Sequence, residues 1–507
     1  MIISRSSRFP RKKFALATAD AMAAAVAIVV AVFLRLGWLG GYEYLQERWV
    51  PLVVAWLAFG LAFYISGIYE SDRLQNIGRM AASALLAVAL GGFFLTAFFY
   101  ATLQPGIGRG IFLGFAAFVL VAVVLLRILY MVAMRRGFLS QRCLIIGSNG
   151  EAQKIVDLIQ KHPQAGIRVL GLIQVSHDRE HIGKFIGNYP ILGNLDALEK
   201  FVDLYNVERL ILAIAANDEP ILLKRLRPFR YRGLAMVDFV TLHEELAQLI
   251  PLEHINDEWL FIASMNNSRF HIRRVKRLVD ILVSLVVAIV TLPVMAVTAL
   301  LIRLTSPGPI LYRQERLGRD SAPFTLLKFR TMRADAETQT GPVWAAEDDP
   351  RITGLGKWLR KFRIDELPQL VNVLNGEMSL VGPRPEREVF IRKLAEKVPF
   401  YAERLLVPPG VTGWAQVMYP YAASIEESRF KLQYDLYYIK HMSFFLDLYV
   451  VLKTFKTILF GRERPAAKLS APDKPKPVEL DTQMLYFQSP PPAANDAPAK
   501  PHAHDAG

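Results

Sequence analysis

Arg360-Lys-Phe-Arg-Ile-Asp-Glu-Leu-Pro-Gln-Leu-Val-Asn-Val-Leu374 sets Asp365 and Glu366 side by side, just before Leu367 and Pro368. Proline is tolerated in the first turn of a helix, where its missing N–H removes no intrahelical bond. Leu367, Leu370, Val371 and Leu374 recur at helical spacing, and Gly376 is a stop signal. The stretch therefore reads as a helix that starts at two carboxylates. Unpaired N–H groups and the positive end of the helix dipole favour anions there. Arg360 and Arg363 stand close in sequence. Such a place keeps a carboxylate ionised and can hold an incoming phosphate, which suits a carboxylate nucleophile attacking phosphorus. Taken alone, an acidic pair before a helical proline is more often a capping device.

The rest of the chain places this stretch beside a membrane. The 507 residues allow several domains, and 52% hydrophobic content exceeds the soluble range. Apolar stretches at 14–36, 49–69, 80–104 and 111–134 each approach the length that spans a bilayer. Arg35 can snorkel from a helix end; Arg127 lies nearer a helix interior and needs the interface or a partner. Arg5, Arg8, Arg11, Lys12 and Lys13 precede the first stretch, Arg135 and Arg136 follow the fourth, and loop 70–79 carries Arg73 and Arg79. The other two loops carry only Arg48 and Arg109. Both ends of the four-helix unit, residues 1–136, are therefore expected on the cytoplasmic side. No small-residue cleavage site follows a short apolar core, so the first stretch reads as a retained helix.

A net charge of +14 points to anionic lipid headgroups or phosphorylated substrates. Nucleic acid is not expected as a partner, because the basic residues concentrate beside apolar segments. The single cysteine, Cys143, excludes an internal disulfide framework and a cysteine-based zinc site, and no HExxH occurs. Cys143 opens a strand-like run and reads as a packing residue.

Residues 141–265 read as a Rossmann-like α/β domain. Strand-like runs at 143–147, 169–175, 209–215 and 234–239 alternate with helical runs at 151–160, 195–205 and 219–229. Gly147-Ser-Asn-Gly150 is a turn, but not a full GxGxxG, and no clear acidic partner follows about twenty residues on. A structural or regulatory module is the expected use. Beyond it, the basic run His271-Ile-Arg-Arg-Val-Lys-Arg277 precedes an apolar segment, 281–302, that contains Pro293. Its length permits a fifth span, and its proline and two basic flanks permit a kinked helix that returns to the same face. The residues alone leave both open. An apolar stripe with Lys453 and Lys456 over 434–460 could lie in the interface or pack on the domain. The tail 464–507 is rich in Pro, Ala, Lys and Asp and is expected to be disordered; its Leu485-Tyr-Phe-Gln-Ser489 resembles part of an engineered protease site.

Seven motifs stand in one order: Ser306-Pro-Gly-Pro309, Tyr312-Arg-Gln-Glu-Arg316, Lys328-Phe-Arg-Thr-Met332, Asp349-Pro-Arg-Ile-Thr353, Asp365-Glu-Leu-Pro-Gln369, Gly382-Pro-Arg-Pro385 and Pro409-Gly-Val-Thr-Gly-Trp-Ala-Gln-Val417. With them the chain resembles the polyprenyl-phosphate hexose-1-phosphate transferases, the large monotopic phosphoglycosyl transferases, over nearly its whole length. The resemblance implies a catalytic domain, 270–463, held by a re-entrant helix at 279–303 with Pro293 at its break. Here Thr291 and Leu292 precede the proline where many relatives have serine. After Val417 the chain reads Met-Tyr-Pro-Tyr-Ala-Ala-Ser424 in place of the Asn-Gly-Arg of many relatives. This looks like the subgroup associated with exopolysaccharide and exosortase-type gene clusters.

The implied reaction moves a sugar-1-phosphate from a UDP-sugar to undecaprenyl phosphate with release of UMP, at a bacterial inner membrane and on its cytoplasmic side. By the resemblance Asp365 is the nucleophile, giving a covalent phosphosugar and ping-pong kinetics. Glu366 assists. Magnesium suits the phosphates and hard oxygen ligands, with Asp365 and Glu366 as its candidate ligands. Arg384, between Pro383 and Pro385, presents a fork suited to phosphate. Arg360, Lys328 and Arg330 are further candidates for the diphosphate or a lipid headgroup, and Trp414 and Gln416 for support by packing and hydrogen bonding. A homodimer is expected by analogy. The alternatives are a membrane scaffold of polysaccharide assembly with a degenerate domain, and a direct glycosyl transferase that releases UDP.

Overall fold

The computed structural model describes residues 11–69, 77–103, 106–135, 140–175, 181–213, 219–257, 259–260, 270–333, 349–419 and 424–460. Arg5, Arg8, Arg73, Arg136, residues 420–423 and the tail 464–507 lie outside them. Two compact units emerge, one of residues 141–239 and one that joins residues 3–140 to 240–468.

The apolar stretches form α1 (Arg11–Glu47), α2 (Trp49–Ile65), α3 (Ile77–Thr102) and α4 (Arg109–Arg135). Ala15–Glu47, Met80–Thr102 and Arg109–Ala133 are long and apolar enough to cross a membrane; α2, at 17 residues, is shorter. Trp38, Trp49 and Tyr100 are exposed, near the end of α1, the start of α2 and the end of α3, as in an interfacial aromatic belt. α1 packs on α4 and α2 on α3 around Val32, Ala55, Phe59, Ala87 and Phe115. Gly91 lets α3 close on α2, since a Cβ there would lie 2.8 Å from the Phe59 ring. Arg127 is fully buried and has found its partner within the bundle. Its Nη1 and Nη2 donate to Oδ1 and Oδ2 of Asp20 at 3.2 and 2.5 Å, and its guanidinium lies 5.3 Å from the centre of the Tyr69 ring.

The unit of residues 141–239 contains β1 (Gln141–Ile146), α5 (Gly150–Lys161), β2 (Ile167–Gln174), β3 (Phe185–Ile186), β4 (Tyr189–Asn194), α6 (Leu198–Leu204), β5 (Arg209–Leu212), α7 (Glu219–Tyr231) and β6 (Ala235–Asp238). The sheet order is β3-β4-β2-β1-β5-β6, parallel except for β3 against β4. β1 ends in four buried residues, including Cys143's neighbours Leu144 and Ile145, as a strand covered on both faces requires. Each predicted run has its element. β3 and β4 were not read from the sequence: β3 has two residues, too few to show alternation, and β4 carries Pro190 and Gly193, which interrupt a strand-like run.

The second unit resumes with α8 (Phe239–Ala247), whose Val240 joins Ile250, Trp414, Leu432 and Tyr438 in one core. It continues through α9 (Phe270–Thr305), the hairpin β7 (Leu311–Leu317) and β8 (Pro323–Phe329), α10 (Gly354–Lys361), α11 (Gln369–Asn375), β9 (Ser379–Val381), α12 (Glu388–Ala395), β10 (Gly410–Thr412), α13 (Trp414–Met418), α14 (Ile425–His441) and α15 (Phe444–Phe460). α9 is one helix with Pro293 inside it, and the Thr291 hydroxyl donates to the Val287 carbonyl at 2.7 Å. Leu282, Leu285, Val286, Ile289, Val290 and Leu292 are exposed along it. Both of its flanks are nonetheless held by this unit. Asp280 accepts from Ser379 Oγ at 2.7 Å, and Ile302 packs on Phe329 and Leu359. α15 packs on the domain through Leu446, Tyr449 and Val450.

Candidate active site

The Asp349 motif closes on itself before it reaches the acids. Arg351 Nε donates to Asp349 Oδ1 at 2.8 Å, and Thr353 caps α10 by accepting from Gly356 N at 3.0 Å. α10 ends at Lys361. Arg363 then turns the chain with φ 56°, a left-handed conformation that costs a non-glycine residue about 1–3 kcal/mol. The acids follow in a single 3-10 turn, Ile364–Glu366, and α11 starts only after Pro368. This corrects the expected helix start at Asp365: the carboxylates precede the helix in a tighter turn. Gly376, at φ 90°, ends α11 as its spacing predicts, and Arg277 of α9 donates to the carbonyls of Val373 and Leu374.

Both acids are buried, yet they differ in surroundings. Glu366 Oε1 accepts from Lys328 Nζ at 3.3 Å and Arg384 Nη2 at 3.2 Å, and Oε2 accepts from Arg363 Nη1 at 3.0 Å. Burial alone would raise its pKa, but Lys328, Arg384 and Arg363 outweigh it and hold the carboxyl far below its usual range. Asp365 accepts no hydrogen bond among the described residues. Burial and the neighbouring charge of Glu366 push it up to about 6, against the pull of Lys328, Arg360 and Arg384. Identical chemistry in adjacent positions is thus split into one permanent anion and one carboxylate with open lone pairs.

Lys328, Arg360 and Arg384 therefore converge on the acids as candidate phosphate ligands. Arg360 Nε is also held by Thr331 Oγ1 at 2.9 Å. Arg330 does not join them, which corrects its assignment to substrate. It is buried, and its Nη1 and Nη2 donate to the carbonyls of Pro307 and Ser306 at 2.7 and 2.9 Å, tying down the first motif. Gln416 supports rather than lines the cluster: its Nε2 donates to the Val411 carbonyl at 3.3 Å. Trp414, also buried, donates through Nε1 to the Gln248 carbonyl at 3.0 Å. Pro383 and Pro385 flank Arg384 on a loop that leaves β9 beside β10. Gly382 is required there, because a Cβ would come within 2.4 Å of the Pro408 carbonyl oxygen.

Sequence reasoning missed Asn372. Its Oδ1 accepts from Leu327 N at 3.1 Å and its Nδ2 donates to Thr325 O at 2.8 Å, so it serves the free edge of β8 as a strand would. This fixes Lys328 over the acidic turn. Its helical position on α11 marks it as polar but does not say what it faces. Among the described residues no group of three or more His, Cys, Asp or Glu could hold a metal. A magnesium ion that takes most of its ligands from a diphosphate and water fits the open carboxylate of Asp365; both oxygens of Glu366 are already engaged by cations.

Residues 271–461 match the family described as "Bacterial sugar transferase", and residues 64–234 that described as "CoA-binding domain". A UDP-N-acetylgalactosamine-undecaprenyl-phosphate N-acetylgalactosaminephosphotransferase of Aeromonas hydrophila is 43% identical over 43% of this chain and 51% of that protein, so the chain spans about half its length. UDP-glucose:undecaprenyl-phosphate glucose-1-phosphate transferases of Xanthomonas campestris pv. campestris and Escherichia coli (strain K12) are 28% and 30% identical. They match over 82% and 65% of this chain and 90% and 70% of their own.

Proposed function

The chain belongs to the bacterial sugar transferases, as a polyprenyl-phosphate hexose-1-phosphate transferase, and on that premise we propose that it reacts in two steps through Asp365. A UDP-sugar is the donor, undecaprenyl phosphate the acceptor and UMP the leaving group. The observation that carries this reading is the division of labour within the acidic pair: Glu366 gathers three cations, and Asp365 stays open among them.

In the first step an Asp365 oxygen attacks the β-phosphorus of the donor. The bond from that phosphorus to the bridging oxygen breaks, and UMP leaves with the electron pair. In the second, an oxygen of the lipid phosphate attacks the same phosphorus and frees the Asp365 carboxylate. Both substrates are anions, so a covalent intermediate avoids holding them together. Lys328, Arg360 and Arg384 stabilise the charge that builds on the non-bridging oxygens. Magnesium, when bound at Asp365, supplies further charge neutralisation for the diphosphate.

A re-entrant α9 is part of the proposal. Asp280 and Ile302 would lie about 33 Å apart along a straight helix, a full hydrocarbon thickness. Ser379 holds one flank and Phe329 and Leu359 the other, so a crossing helix would draw part of residues 311–460 through lipid; a bend at Pro293 avoids this. The catalytic residues then stay on the cytoplasmic leaflet of a bacterial inner membrane. The parallel order β4-β2-β1-β5-β6, wound both ways from β1, supports a Rossmann-like reading of residues 141–239. A homodimer completes the picture; a monomer mass in nanodiscs would contradict it.

Separate assay of UMP and UDP with lipid, magnesium and a panel of UDP-sugars tests the reaction. Lipid-dependent UMP is the expected product, whereas UDP would mean direct glycosyl transfer. The pH dependence follows from Asp365. Its carboxyl is raised, so it is protonated and inert below about 6. The rate of UMP release should fall about tenfold per pH unit below that point. An acid limb near the ordinary carboxylate value, about 4, would show that burial does not govern the nucleophile.

A further inference from the structure

Three successive carbonyls of the loop that presents Arg384 are each tied to a different element. Pro383 O accepts from Gly410 N at 2.8 Å, Arg384 O from Arg404 Nη2 at 3.1 Å, and Pro385 O from Arg316 Nη1 at 3.4 Å. The middle tie comes from the more deeply buried of two ion pairs, since Arg316 is paired with Glu386 but keeps 17% of its side chain exposed. Arg404 Nη2 also lies 3.0 Å from Asp435 Oδ2, and both side chains are 3% exposed. Arg404 Nη1 donates to the Tyr401 hydroxyl at 2.6 Å, and the guanidinium lies 5.1 Å from the centre of that ring.

Stability alone does not account for such a pair. Removing two charges from water costs about as much as their attraction returns, and apolar residues of similar volume often do as well or better. What apolar residues cannot do is hold a carbonyl. Asp435 sits on α14 among Leu432, Leu436, Tyr438 and Ile439, all in the core. Through Arg404 that core grips the main chain of Arg384, whose own Nη2 reaches Glu366 beside the nucleophile. We propose that Arg404 and Asp435 are positioning residues that fix the phosphate-binding fork of Arg384. The inference rests on the role given to Arg384 above.

The test is a double-mutant cycle on the full chain in nanodiscs. Arg404→Met with Asp435→Leu replaces the pair by apolar volume and deletes the tie. The thermal midpoint should hold or rise, and kcat for UMP release should fall about 10- to 100-fold, the effect of a misplaced catalytic group. In an Arg384→Ala background the same two substitutions should cost nothing further, because there is no fork left to place. Wild-type kcat in the double variant overturns the inference, as does an equal loss in both backgrounds. If Arg384→Ala alone leaves UMP release unchanged, the reading of Arg384 fails and the inference with it. Arg404→Lys keeps a charge beside Asp435, but a single ammonium nitrogen cannot stand at both the Nη1 position that serves Tyr401 and the Nη2 position that serves the Arg384 carbonyl. It is expected to fold and to show the same non-additive loss, so the cycle is decisive even if the apolar pair does not fold.

Discussion

Asp365→Asn should abolish UMP release, by about four orders of magnitude or more, and yet leave the protein at least as stable as before. The amide is isosteric and cannot attack phosphorus. The stability follows from the direction of the pKa. A carboxyl held above its unfolded value is less stable ionised in the fold than in the open chain. At neutral pH that penalty is present, and a neutral amide removes it. Intact-protein mass after incubation with the donor alone should show a phosphosugar adduct on the wild type and none on the variant. Residual turnover above about 1% of wild type would shift the nucleophile elsewhere.

Glu366→Gln is the second large effect and has the opposite signature. It deletes the anion on which Lys328, Arg363 and Arg384 converge. Removing one partner of a buried ion pair costs about 3–5 kcal/mol, because the other charges remain. The thermal midpoint should fall. Activity should drop about 10²- to 10³-fold as the cations lose their common anchor. The acid limb should move to lower pH, since the charge of Glu366 is one of the forces that raises Asp365. A magnesium titration separates this role from metal binding. If Glu366 organises cations, the magnesium midpoint stays where it was; a large shift, with rescue by excess ion, would make it a ligand.

The two acids, the glycine stop after α11 and the arginine between prolines were all legible, because each is written in local chemistry. What they do to one another was not. No propensity places Arg363 in a left-handed conformation; Glu366 holds it there from three residues away. Lys328 and Arg330 looked alike in their motif, and alternation would set both on one face, but β8 ends at Phe329, and the contacts just past it send Arg330 to Ser306 while Lys328 reaches Glu366. Asn372, Arg404 and Asp435 are polar residues at unremarked positions, and only tertiary structure gives them carbonyls and amides to hold. Hydropathy likewise hid Asp20, a single charge averaged away in an apolar window. The long spans were readable for the same reason: averaging favours what is repeated.

The ion pair of Asp20 and Arg127 sets an order in time. The two residues are separated by 107 positions, and at about 5–20 residues per second the ribosome takes roughly 5–20 s to travel from one to the other. Through that interval α1 already exists and its counterion does not. A carboxylate inside a membrane helix costs up to about 2.5–3.5 kcal/mol on insertion scales, the value at the helix centre, so the first helix is at its least settled while the second and third are being made. Completion of the fourth helix releases it. The bundle can therefore be sealed only once its last helix is made, and the residues that carry Asp365 and Glu366 are translated after that helix.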